Sequence, residues 1–274
     1  MAKRDWLAFD YKSYAVTTSV SAIEAFRTCQ RKWWMKKVHR LPEPPFQAGV
    51  LGDAFHELCE LYLLGNDDPA KTESWRKDLS TSDIDILSRA LRVMIDKQVL
   101  QRQPGLEVEK AFQIKVTPKA SIMGFCDAIG AGTVQDHKTS KTSKYFATPA
   151  KLAADFAMLT YAYVELQRDP SLKSVKLRHN QVTLDAKCPT AAITEVDVPA
   201  DRIRKHWEIE VVPIATKMVV LKGQRTAADQ WAKIQGTEGE HQCHAYGRPC
   251  EYYDICHNNL SPSDYIARAK AEGI

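Results

Sequence analysis

Gly124-Phe125-Cys126-Asp127-Ala128-Ile129-Gly130-Ala131-Gly132-Thr133-Val134-Gln135-Asp136-His137-Lys138 carries apolar and β-branched residues on both sides of a glycine-containing turn. That pattern reads as a β-hairpin, and across it Asp127 and Asp136 can face each other. Side chains alternate along a strand, so Asp136 and Lys138 share one face while His137 turns away, and Cys126 points opposite to Asp127 into the core.

Two carboxylates on neighbouring strands suit a hard divalent cation such as Mg2+ or Mn2+, which prefers oxygen ligands and retains waters. A bound ion of that kind lowers the pKa of water and offsets charge on a phosphoryl group, and Lys138 would orient the hydroxide and share that charge. By itself Asp-x-Lys is an ordinary surface ion pair; its surroundings give it weight. An extended segment, Glu107 to Thr117, precedes the hairpin, and a helical pattern from about 149 to 168 follows it, giving the order β-β-β-α. Upstream, Leu51, Phe55, Leu58 and Tyr62 recur at helical spacing and place His56 at the polar edge of a helix.

The β-β-β-α order with Asp127, Asp136 and Lys138 resembles the PD-(D/E)xK nuclease superfamily, in its RecB-like branch. The resemblance implies an α/β fold, a central mixed β-sheet flanked by helices, with N-terminal helical additions and a C-terminal iron-sulfur segment. It also implies that His56 joins Asp127 and Asp136 as a metal ligand, with Glu60 behind it. The tyrosine that the family carries on the helix after Asp-x-Lys is matched by Tyr161, but the glutamine four residues earlier is Ala157 here. The arginine often found before the first aspartate is Phe125. Tyr161, Lys141 and Lys144 are candidate substrate contacts.

Seven cysteines without a signal-like apolar start argue for a reducing compartment. Cys243-x6-Cys250-x5-Cys256 lacks the Cys-x2-Cys pairing of zinc ribbons, and four thiolates also suit a [4Fe-4S] cluster. The stretch from Ser19 to Trp33, with Cys29 in it, looks like the N-terminal cysteine helix of the four-cysteine RecB-like nucleases, which include AddB-type and CRISPR-associated exonucleases. That resemblance implies a [4Fe-4S] cluster on Cys29, Cys243, Cys250 and Cys256, with zinc as the alternative. His241, His244 and His257 are read as bystanders, and Cys59, Cys126 and Cys188 as structural thiols.

With 274 residues and 44% hydrophobic content the chain can bury a substantial core, and no apolar run approaches a membrane span. A single nuclease domain over 1–274 is expected: a helical part at 18–105, a nuclease core at 106–222 and a cluster segment at 223–274. The net charge of +4 is a poor argument for nucleic acid. Its distribution is more useful, because Arg27, Arg31, Lys32, Lys36, Lys37 and Arg40 surround Trp33 and Trp34. Either the tryptophans stack on unpaired bases or they lie in the core. The expected activity is that of a cytoplasmic, metal-dependent DNA exonuclease, from a bacterial, archaeal or phage-infected cell. It would process ends in recombination, repair or CRISPR adaptation. The chain has no phosphate-binding loop for an ATP motor, so a recombinase, helicase or adaptation protein would be a separate partner. The alternative is a noncatalytic DNA-binding subunit that retains the fold.

Overall fold

The computed structural model describes residues 9–43, 47–77, 79–185, 187–223, 243–244 and 249–271. In chain order the elements are β1 (Val16–Ser19), α1 (Val20–Thr28), α2 (Gln30–Trp33), α3 (Gln47–Leu63), α4 (Thr81–Asp96), β2 (Glu107–Thr117), β3 (Ala120–Gly130), β4 (Thr133–Ser140), α5 (Pro149–Leu152) and α6 (Phe156–Arg168). They continue with β5 (Ser174–Thr183), β6 (Ala191–Pro199), α7 (Ala200–His206), α8 (Val212–Gly223), α9 (Tyr253–His257) and α10 (Pro262–Ala271). Two compact units result. One takes Met1–Phe9, Gln47–Ile114 and Gly124–Ile209; the other takes Asp10–Phe46, Lys115–Met123 and Glu210–Ile274.

The first unit is a mixed sheet flanked by helices. β3 runs antiparallel to β4, β4 parallel to β5, and β5 antiparallel to β6. A parallel step cannot be made by a tight turn, and here α5 and α6 supply the crossover between β4 and β5. The hairpin expected between Asp127 and Asp136 is present, with Gly130 opposite Thr133 and only Ala131 and Gly132 between them. Both turn residues have positive φ, 51° and 72°, which matches the twist of the strands they join. Gly130 is required twice over. Its φ is 140°, and a Cβ there would stand 2.3 Å from the carbonyl oxygen of Gly105. Gly130→Ala is therefore expected to destabilise the protein by about 3 kcal/mol or more, read as a lowered midpoint in urea.

α3 and α4 cover the sheet through Phe55, Leu58, Leu87, Ala90, Leu91 and Met94, which form one buried cluster with Trp75 and Val182. α4 starts cleanly because Ser80 and Asp83 form a reciprocal capping box. The sequence over 81–101 reads as one helix, but the helix ends at Asp96 and Gln98 takes a φ of 56°, after which Val99 and Leu100 both donate to the carbonyl of Met94. Similarly, the helix expected over 149–168 is two helices. Asp155 interrupts it, and its carboxylate accepts the Met158 N–H at the start of α6.

In the second unit β1, which the sequence pattern did not reveal, pairs in parallel with Ala120–Met123 of β3. The sequence over 19–38 reads as one helix, but it is broken at Cys29, whose extended backbone closes α1 and whose Sγ accepts the Lys32 N–H at 3.4 Å to open α2. A π turn, Trp34–Val38, follows. Trp33 and Trp34 are 3% and 2% exposed, and Trp33 packs edge-to-face on Phe26. Burial on that scale decides between their two roles: they are core, and no base can stack on them. Downstream, Tyr252 and Tyr265 donate to the carbonyls of Leu41 and Pro42, and Lys32 pairs with Glu251 at 2.7 Å. The polar end of the chain thus contains α10, anchored by buried Tyr265 and Ala269. Among the described residues, no helix is long and apolar enough to cross a membrane.

Candidate active site

The site is built where β3 and β4 leave the turn. Their ladder pairs Ala128 with Gln135, Ile129 with Val134 and Gly130 with Thr133. Beyond it, the His137 N–H is taken at 2.8 Å by Oδ2 of Asp127, a side-chain oxygen in place of a strand carbonyl. The same oxygen lies 3.2 Å from Nδ1 of His56, which α3 presents from its polar edge while Phe55, Leu58 and Cys59 are buried in the core. Asp136 is 8% exposed and its Oδ2 lies 2.8 Å from Nζ of Lys138, two residues along the same face. The structure therefore brings His56 to Asp127 and Lys138 to Asp136.

Electrostatics follow from those two pairs. Burial opposes ionisation of Asp127, but the charge and hydrogen bond of His56 and the His137 N–H prevail and hold its carboxyl well below the usual range. Burial also opposes protonation of His56; the Asp127 carboxylate outweighs it and raises the imidazole to about 9. The charge of Asp136 holds Lys138 above the ordinary lysine range, burial opposing it. Each carboxylate thus carries a cation supplied by the protein.

Two more histidines lie near this centre: His137, which strand alternation turns away from Asp136 and Lys138, and His179, which the sequence reading did not single out. His137, 2% exposed, faces Asn180 of β5 through Nδ1 at 3.3 Å, and its ring centroid is 6.1 Å from that of His56. His179 of β5 stands beside Asp136 in the parallel ladder, with Nε2 3.7 Å from Oδ2 of Asp136. Burial lowers the pKa of both imidazoles below the histidine norm. The available signal was the alternation of Leu177, His179 and Gln181 on β5, but nothing in the sequence fixed the register of β5 against β4.

Of the candidate substrate contacts, Lys141 and Lys144 are exposed after β4, and the ammonium of Lys144 lies 4.9 Å from the ring centre of Tyr145, itself 65% exposed. Tyr161 on α6 meets Phe112 edge-to-face at 5.9 Å. Ala157 is half-buried on the same helix and offers no polar side-chain atom. Glu60, one turn beyond His56, is 6% exposed. Phe125 packs edge-to-face on Phe9.

The four candidate cluster cysteines lie in the second unit. Cys29, Cys243, Cys250 and Cys256 are all half-buried, and none is in a disulfide. The Cys250 N–H donates to the Cys243 carbonyl, and the Cys256 thiol, raised by burial, feels Arg31, Cys29 and Cys243. Burial likewise pushes Cys250 up to about 11. Cys59 and Cys126 are buried and Cys188 is exposed; His241 lies outside the described residues. Among the described residues, no three His, Cys, Asp or Glu side chains stand together in a metal-ligating arrangement. The donor chemistry of His56, Asp127 and Asp136, one imidazole and two carboxylates, still fits a divalent cation.

The crystal structure of a "Putative exonuclease" from Eubacterium rectale is similar at a TM-score of 0.56 and 14% identity, covering 91% of this chain and 89% of that one, a likeness of fold. The crystal structure of SSO0001 aligns at a TM-score of 0.45 and 17% identity over 93% of this chain and 90% of that one. No curated protein matches the sequence. Residues 17–257 match the PD-(D/E)XK nuclease superfamily, so with most of its length inside that match the chain belongs to this superfamily.

Proposed function

We propose that the chain is a metal-dependent deoxyribonuclease that shortens DNA from its ends. The observation that carries this reading is that the two strands of one hairpin present two carboxylates, Asp127 paired with His56 of α3 and Asp136 paired with Lys138. His56, Asp127 and Asp136 would hold Mg2+ or Mn2+. A bound ion of that class supplies an activated water and offsets charge on the phosphate. Lys138 stays protonated beside Asp136, so it is unsuited to remove a proton; it acts as a fixed cation and hydrogen-bond donor to the phosphate oxygens as charge builds on them. Lys141 and Lys144 lie a few residues beyond it and would track backbone phosphates, with Tyr161 a further substrate contact. Replacing both lysines by alanine is expected to weaken DNA binding and to flatten the slope of log affinity against log salt by about 2; an unchanged slope would remove them from the interface.

Metal binding should also release a proton. His56 carries one below about 9, and a ligating imidazole must give it up. The sign is fixed by that raised value. In the metal-free protein the His56–Asp127 pair is stabilising below the unfolded histidine value of about 6.5 and is lost as pH rises through about 9. Calorimetry with Mn2+ in buffers of different ionisation enthalpy at about pH 7 is therefore expected to show release of about one proton per ion, fading towards pH 9.

The four thiols of the second unit are proposed to hold a [4Fe-4S] cluster, which would place the chain in the four-cysteine RecB-like branch. The support is that Cys29 and Cys243 act on the half-buried Cys256 thiol and that the Cys250 N–H donates to the Cys243 carbonyl. Zinc would satisfy the same donors and is separated from iron by metal analysis.

The test of activity compares linear DNA, labelled at one end, with covalently closed circular DNA, in Mn2+ or Mg2+. Metal-dependent shortening of the linear substrate alone supports the exonuclease. Cleavage of the circle would make the enzyme an endonuclease, and DNA binding without cleavage in either metal would favour a noncatalytic subunit, the reading to which Ala157 lends support.

A further inference from the structure

His179 is 4% exposed and the Nε2 of its ring makes no hydrogen bond. Its neighbours on β5 do otherwise. Asn180 donates to Gln135, and Gln181 donates to Thr194 while accepting the Ala147 N–H. A buried polar nitrogen without a partner is costly, and a leucine of similar size would remove the cost, so its presence asks for a state in which the nitrogen is used. The nearest anion is settled by the strand register. β4 and β5 set His179 beside Asp136, with Nε2 3.7 Å from the Oδ2 that lies 2.8 Å from Lys138 Nζ.

We infer that His179 is a positioning residue for Asp136, donating from Nε2 to the carboxylate and fixing its orientation when it ligates a divalent cation. The inference rests on the metal-dependent reading above. Its logic is mechanical. Lys138 cannot give its ammonium wholly to Asp136 and also serve a phosphate, and its side chain is half exposed. When Lys138 turns to substrate, the carboxylate needs another anchor, and a short ring fixed on a paired strand is a stiffer one.

The test uses His179→Leu, which fills the buried volume without a donor, and His179→Gln, whose amide nitrogen can reach the place of Nε2. Mn2+ alone is titrated into each full-length protein by calorimetry, with thermal melting alongside. His179→Leu is expected to melt no lower than wild type yet to bind Mn2+ about tenfold more weakly, and His179→Gln to recover most of that loss. Equal Mn2+ affinity for wild type and His179→Leu would overturn the inference while leaving the metal site standing. A His179→Gln protein as weak as His179→Leu would overturn the donor role. If wild type binds Mn2+ no better than Asp136→Ala, the metal-dependent reading itself fails and the inference falls with it.

Discussion

Lys138→Ala is expected to lower cleavage of linear DNA by about a thousandfold or more while leaving the fold and the cysteine centre unchanged. The size follows from where the charge sits. Asp136 holds Lys138 protonated, so the alanine variant loses a preformed cation at the place where the phosphate gains charge, and no other lysine of the hairpin is within reach of Asp136. Stability should fall modestly, because the Lys138 side chain is half exposed but its removal leaves the buried Asp136 carboxylate without its cation. Asp136→Asn tests the other half of the pair. It removes a carboxylate ligand and should cost at least as much activity, with Mn2+ affinity falling as well, whereas Lys138→Ala should leave Mn2+ affinity within a few fold. Single-turnover cleavage at saturating Mn2+ separates the two. A Lys138→Ala protein that cuts as fast as wild type would sink the assignment of this hairpin as the active site.

Much of this site was legible in the sequence because its geometry is local. Asp127, Asp136 and Lys138 belong to one hairpin, where a two-residue turn fixes the register and strand alternation fixes the faces, so spacing alone decides which side chains meet. Glycine at 130 and positive φ at Ala131 and Gly132 are the physical reasons the turn forms there. His179 was hidden for the opposite reason. Its place beside Asp136 depends on a parallel pairing made through a helical crossover, and no local pattern sets that register. The breaks at Cys29 and Asp155 were missed because apolar periodicity continues across each, while the interruption is made by a single side chain that caps the next helix. β1 is four residues long and gains its order only from pairing with β3, which its own sequence does not announce. Trp33 and Trp34 illustrate a further limit, since a basic helix with two tryptophans reads alike whether the rings face a base or the core; only packing against Phe26 separates the cases.

Cys250→Ser is expected to abolish the iron and acid-labile sulfide of anaerobically purified protein, to remove the broad absorbance near 400 nm that such clusters give, and to lower the melting temperature by about 10 °C. The thermal effect is a matter of chain length. Cys29 and Cys243 are more than two hundred residues apart, and a crosslink that closes a loop of that order restricts the unfolded chain by about 5 kcal/mol. The loss should stop short of unfolding, because Tyr252 to Leu41, Tyr265 to Pro42 and Lys32 to Glu251 join the same two stretches without any metal. Burial keeps the Cys250 thiol neutral at ordinary pH, so loading must expel protons and should slow as pH falls. Cys188→Ser is the control, since that thiol is exposed and its loss should change neither iron content nor melting. Cys126→Ser is the sharper one. Cys126 is buried in the sheet of the other unit, so its replacement should lower the melting temperature while full iron content persists. Zinc in place of iron in the wild type would keep the staple and refute the cluster; neither metal, with Cys250→Ser as stable as wild type, would leave the four thiols without a ligand and return the second unit to hydrogen bonds and packing alone.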